Sequence, residues 1–478
     1  MPHTRRFCTV LAAALGAAVL PSRPATADSS LQAVINLSTG YTDNVDLVPE
    51  NPANARATAE VSSDTFASIA PGLIFSHLSP RITQVLLYSA SFRLYAGSGG
   101  GNSFSNTVGY GVRFALSPRS SAGLDVNGSS GRLAALPVAP QDTLVGTRAA
   151  GDQSFAQATA VESYTYAVGR SWRFEQSLTA SLVEPNDDAV QIGLRDSFGG
   201  SLGLSKVFNS HAFTASAHAT QSSFDQGEDE AGNDLGDLRT ITLGPELRWV
   251  HDLSEDLSTD AMIGGVAIMP AYEWDKRDQF PIGSATLRYQ NELFGASAGY
   301  QRIVSPNLAL AQTEVTHRVE ARGVLPVPIQ HPRFRNKLLL SGAAGYSSGE
   351  FVRAAADATQ ETVGGTKLWL ADLSLSWDAS AEISAGLRYQ RVWQEVEDPD
   401  LMLDEPQRTR GQTILLVLQG RYPARQAAVL PRDPSTRVDG GLLQEDVARD
   451  EMRRQQSTGD EHKEAGSEAQ ESEGSPRH

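Results

Sequence analysis

The chain has 478 residues, of which 40% are hydrophobic, and a formal net charge of −16 at pH 7. Its one cysteine, Cys8, lies near the start, and past the first 27 residues no run of about 18 apolar residues occurs. Helical membrane spans, disulfides and zinc-thiolate sites are thereby excluded from the mature part, and the charge argues against nucleic acid or an anionic membrane surface as a general partner.

Residues 1–27 carry Arg5 and Arg6, the apolar run Val10 to Leu20, and Ala25-Thr26-Ala27 before Asp28. This reads as a secretory signal peptide, and Cys8, ahead of the apolar run, argues against a lipoprotein anchor. From residue 28 a period of two takes over. In 82–116, Leu86, Tyr88, Ala90, Phe92 and Leu94 alternate with small or polar residues, and after a Gly-rich loop Val108, Tyr110, Val112, Phe114 and Leu116 repeat the pattern. One apolar and one polar face per strand suits a closed sheet with lipid outside and water inside.

Extended along the chain, the pattern predicts strands near 31–43, 61–78, 82–96, 104–116, 121–129, 155–173, 176–184, 189–208 and 211–223. Nine more follow near 238–251, 257–269, 281–291, 294–303, 310–325, 336–348, 366–378, 381–393 and 412–422. The expected fold is all-β, an up-and-down transmembrane antiparallel β-barrel of about 18 strands over residues 28–422. Tight links are expected at 78–81, 116–119, 173–176, 208–211, 291–294 and 378–381, the first two sharing Leu-Ser-Pro-Arg. They alternate with longer polar loops such as 44–60, 130–154, 224–237, 349–365 and 394–411, which would set both termini on the periplasmic side. Residues 326–336 form a longer link where a short one is expected. A water-soluble sandwich is the competing fold, but it would need Greek-key crossings rather than successive hairpins. After Tyr422 a charged tail, 423–478, is expected to be disordered, with a weak amphipathic stretch near 442–456.

Motifs that could carry chemistry are few. Gly199-Gly200-Ser201-Leu202-Gly203 and Gly295-Ala296-Ser297-Ala298-Gly299 match G-x-S-x-G, but that motif needs a strand-to-helix turn and both fall inside alternating strands. His77, His211, His218, His251 and His317 are scattered without metal-ligand spacing. The acidic groups Asp225, Glu228, Asp229, Glu230, Asp234, Asp237 and Glu395, Glu397, Asp398, Asp400, Asp404, Glu405 lack EF-hand spacing and read as solvated loops. No catalytic residue, cofactor or metal site is expected.

The remaining information lies on the face assigned to the lumen. It carries Arg93, Arg113, Glu246, Arg248, Arg288, Glu314 and Arg318, then Glu320, Arg322, Asp372, Glu382, Arg388 and Arg421, separated by Ser, Thr, Gly and Gln. Such charges can pair across strands and stiffen the wall, or, with arginine in excess, favour polar and acidic solutes.

The first strand, Ile35-Asn36-Leu37-Ser38-Thr39-Gly40-Tyr41-Thr42-Asp43-Asn44-Val45, resembles the Gly-Tyr-x-x-Asn-Val opening of large proteobacterial outer-membrane barrels, including those of exopolysaccharide synthesis clusters. Leu418-Gln419-Gly420-Arg421-Tyr422 resembles the closing strand, with its terminal aromatic, that the barrel-assembly machinery recognises, although here a tail follows. The resemblance implies an eighteen-stranded barrel in outer-membrane lipid that passes secreted polysaccharide together with a periplasmic polysaccharide-export protein. A diffusion porin for small polar solutes and, with less support, a barrel enzyme acting on lipid or peptide are the alternatives.

Overall fold

The computed structural model describes residues 28–44, 63–97, 102–132, 154–185, 195–208, 210–225, 237–270, 277–291, 294–307, 312–327, 338–352, 364–380, 382–397 and 407–422. The expected signal peptide and charged tail lie outside these residues. So do most of the long loops, including the centre of 130–154.

Eighteen strands, 13 to 16 residues long, form one sheet. In order they are β1 (Asp28–Thr42), β2 (Asp64–Leu78), β3 (Ile82–Tyr95), β4 (Ser103–Ser117), β5 (Ser120–Arg132), β6 (Ser154–Ala167), β7 (Trp172–Pro185), β8 (Arg195–Phe208) and β9 (His211–Asp225). Then come β10 (Asp237–Asp252), β11 (Leu257–Pro270), β12 (Asp278–Gln290), β13 (Gly295–Asn307), β14 (Gln312–Pro326), β15 (Leu338–Val352), β16 (Gly365–Asp378), β17 (Ile383–Glu397) and β18 (Gln407–Tyr422). Each pairs antiparallel with its sequence neighbours, and β1 pairs with β18 from Ala33↔Tyr422 to Thr42↔Thr413, so the barrel closes and no edge is left. With 18 strands about 4.8 Å apart and tilted by about 40°, the backbone cylinder has a radius of roughly 18 Å, wide enough for an aqueous passage between the side chains.

The register separates two faces without a break around the barrel. Leu37↔Ile69, Ile69↔Phe92 and Phe92↔Phe104 stand in line on one face, and so do Leu247↔Ile263 and Leu387↔Leu416. Ile263 is 68% and Leu247 62% exposed, an arrangement stable against hydrocarbon and costly against water, so this face is the outer one and the barrel is transmembrane. Aromatic rings band both ends of it. Phe208, Phe213, Trp249 and the stacked His211 and His251 (ring centroids 4.0 Å apart) lie at the end with the short turns. Phe92 with Phe104, and Tyr346 with Trp369 (4.4 Å), lie toward the end with the long connections.

The short turns close by local hydrogen bonds, as where the Ser79 N–H donates to the Ile82 carbonyl at 2.9 Å and the Asn291 N–H to that of Phe294 at 2.9 Å. The turn expected at 173–176 is displaced to 168–171, where Gly169 takes a φ of +93° and reverses the chain. Trp172 and Phe174 then belong to the outer face of β7, a continuation of the alternation that hides the boundary in sequence. The longer link after β14 is present: the Val327 N–H donates to the Leu338 carbonyl at 2.9 Å across it. Val112, expected to face lipid, is on the outer face but only 3% exposed, covered by its neighbours.

Candidate functional site

The candidate site is the inner wall. Twelve of the thirteen residues assigned to it by pattern, all but Glu382, occupy strand positions on the face opposite the exposed apolar one. Glu382 is a correction. It sits in the turn before β17, fully exposed, where the Ser380 hydroxyl and its own backbone N–H hold its carboxyl below the ordinary glutamate value. It belongs to the rim because β17 starts at Ile383, two residues later than the strand expected at 381–393.

Charges on the wall pair across neighbouring strands and, around Glu320, along β14 itself. Arg113 donates through Nη2 to Asp125 Oδ2 at 2.7 Å, and Arg388 through Nε to Asp372 Oδ2 at 2.7 Å. Arg248 engages both oxygens of Asp260, through Nε to Oδ1 at 2.9 Å and through Nη2 to Oδ2. Glu320 accepts from Arg318 at 2.8 Å and from Arg322 at 3.3 Å. Arg93 lies over the Phe66 ring, 4.7 Å from its centroid, and Arg421 donates to Gln419. Glu314, 5% exposed, accepts from the Thr366 hydroxyl at 2.6 Å. A side chain at Gly123 would run into Arg113, so that glycine clears the path by which the guanidinium reaches Asp125.

Asp125 and Asp260 were not among the residues picked from the sequence. Both occupy alternating positions, after Leu124 and before Ala261, so parity alone could have found them. Their pairing changes the character of the wall. An apparent arginine excess becomes a mosaic of paired charges, and between the pairs hydroxyls bridge strands: Ser38 with Ser68 (2.5 Å), Ser177 with Ser201 (2.9 Å) and Ser341 with Ser374 (2.6 Å). Ser258, Arg288, Ser297, Arg322, Ala343 and Asp372 are successive register partners from β11 to β16, which sets Arg288 and Arg322 two strands, about 10 Å, apart.

The structure also brings together residues that looked unrelated. Ser201 of the first G-x-S-x-G string is the register partner of His218, and His218 Nδ1 is 3.0 Å from Glu246 Oε1, out of hydrogen-bond alignment. Ser201 shares its hydroxyl hydrogen bond with Ser177, and among the described residues none joins it to His218. Both strings lie in regular strands, so neither forms a nucleophile elbow. Among the described residues no group of three or more His, Cys, Asp or Glu has metal-binding geometry. Of the acidic loop groups, Glu395 is held by Lys367 (2.9 Å) and Arg408 (3.3 Å), and residues 226–236 and 398–406 lie outside the described residues.

No family model matches the sequence, and no curated protein matches it. Solved structures do. The open form of the ferric-catecholate import receptor Fiu from E. coli K12 aligns with a TM-score of 0.40 and 10% identity over 84% of this chain and 82% of that one. Pseudomonas aeruginosa OccK2, in complex with glucuronate, gives 0.40 and 11% over 83% and 98%, and Acinetobacter baumannii OccAB3 gives 0.40 and 10% over 82% and 100%. Likeness at this level carries no argument about cargo.

Proposed function

We propose that the chain is a passive channel in the outer membrane of a Gram-negative cell, with both termini periplasmic, and that its cargo is a secreted exopolysaccharide. The observation that carries the channel reading is an inner face bearing paired charges and bridging hydroxyls inside a closed barrel with an apolar exterior. Paired guanidinium and carboxylate groups separated by hydroxyls offer many weak donors and acceptors, which suits a hydroxyl-rich chain that must slide rather than bind. The polymer reading is supported by the resemblance of the opening and closing strands, and it makes the barrel-assembly machinery and a periplasmic export protein the expected partners. As a passive channel the barrel takes its drive from synthesis or assembly on the inner side.

Deleting the gene is expected to remove carbohydrate from the cell surface, read by dye binding, while the polymer is still synthesised. Replacing Arg248, Arg288 and Arg388 together by Gln is expected to slow an acidic polymer more than a neutral one. Unchanged surface carbohydrate with lost uptake of a small polar solute would instead establish the porin reading.

A further inference from the structure

The outer face changes character along β16, β17 and β18. Toward the short turns the rungs are apolar, Leu375↔Leu387↔Leu416 and then Leu373↔Tyr389↔Ile414. The next three, moving toward the long connections, are Ala371↔Arg391↔Gln412, Trp369↔Trp393↔Arg410 and Lys367↔Glu395↔Arg408. Four cations thus stand on three adjacent strands, within an area of about 10 Å by 13 Å, against the single carboxylate of Glu395. Glu350 and Glu397 come one rung further out. Elsewhere on the outer face Lys206, Arg239 and Arg302 stand one to a strand.

The cluster is ordered from within. Glu395 ties Lys367 to Arg408, and Asn44 donates to the Arg410 carbonyl at 2.8 Å, which fixes β18 beside the end of β1. Arg391 is exposed and has no carboxylate partner among the described residues. Trp369, 54% exposed, lies on the rung between, beside Tyr346. A guanidinium held at the upper border of an apolar belt, next to indole rings, meets lipid head groups rather than cargo.

We propose that this face binds the phosphates of a phosphorylated glycolipid in the outer leaflet. Cations spread over three rungs match a head group with more than one phosphate, and the exposed rings between them suit sugar faces. A lipid with a single phosphate would leave part of the cluster unmatched. The site is a local exception to the chain's net charge of −16, which at first sight argues against anionic membrane surfaces. The leaflet assignment rests on the orientation proposed above.

The test uses purified full-length protein in detergent, with bisphosphorylated lipid A, its dephosphorylated form and phosphatidylglycerol as probes, and bound lipid counted by native mass spectrometry. Wild-type protein is expected to retain the bisphosphorylated form preferentially. The Arg391→Gln/Arg410→Gln variant, which leaves the Lys367–Glu395–Arg408 bridge intact, should retain it about tenfold less, and Lys206→Gln should match wild type. Equal retention by the double variant and wild type, or equal retention of phosphatidylglycerol or the dephosphorylated form, overturns the site. A Glu397→Cys variant, whose mature part has no other cysteine, should label with an impermeant maleimide on intact cells. Failure to label overturns the leaflet and the orientation beneath it, while loss of phosphate preference overturns the site alone.

Discussion

Glu314 is held at the inner wall by the Thr366 hydroxyl and by the empty volume above Gly349, where a Cβ would overlap its carboxylate. Gly349→Ala must therefore push a 5%-exposed carboxylate off its partner, an overpacking expected to cost about 1–3 kcal/mol. Gly295→Ala, where a Cβ meets nothing within 4 Å, should be close to neutral. Comparing the temperatures at which the two variants lose their compact gel mobility checks this, and equal midpoints would show that Glu314 has room to move. The same scale explains what the sequence concealed. Arg113 and Arg248 were visible as inward charges from parity, but their partners Asp125 and Asp260 depend on which residues the register sets side by side, and a one-residue slip would separate them.

At the scale of the strand, the alternation was legible because lipid and water impose opposite demands on adjacent residues, and the two faces keep their parity from β1 to β18, although Val266, Ile268 and Ile282 put apolar side chains on the inner one. Turns marked by Leu-Ser-Pro-Arg were legible too. The reversal at 168–171 was not, because Val168 and Trp172 continue the apolar rhythm across it and only the φ of Gly169 marks the break. Glu382 was misplaced for a related reason, since parity assigns a face but does not say where a strand begins. The face assignment predicts a sharp asymmetry. Ile263→Arg, at the middle of β11 and 68% exposed, should impair insertion by about 2–4 kcal/mol, whereas Ser91→Arg on the inner face of β3 should insert normally. Heat-modifiable migration in outer-membrane fractions measures both, and equal insertion would mean that the two faces are wrongly assigned.

For the whole molecule, closure through the β1–β18 seam turns eighteen strands into a cylinder whose inner face carries the paired charges and hydroxyls, with an apolar cluster of Val266, Ile268 and Ile282 on β11 and β12. The Asp260 carboxylate is 17% exposed and the Arg248 side chain 39%, so their pair adds at most about 1 kcal/mol to stability while setting the local charge that a solute meets. A passive channel requires that this interior conduct. Single-channel recording of the purified protein in a planar bilayer is the most direct measurement. Wild type is expected to show discrete ohmic steps, and Asp125→Asn/Asp260→Asn, which removes one carboxylate from beside each of two wall guanidinium groups, a reversal potential in a salt gradient shifted toward anions. Insertion of heat-modifiable barrel with no conductance steps, or steps whose ion preference ignores the double substitution, would contradict the channel reading.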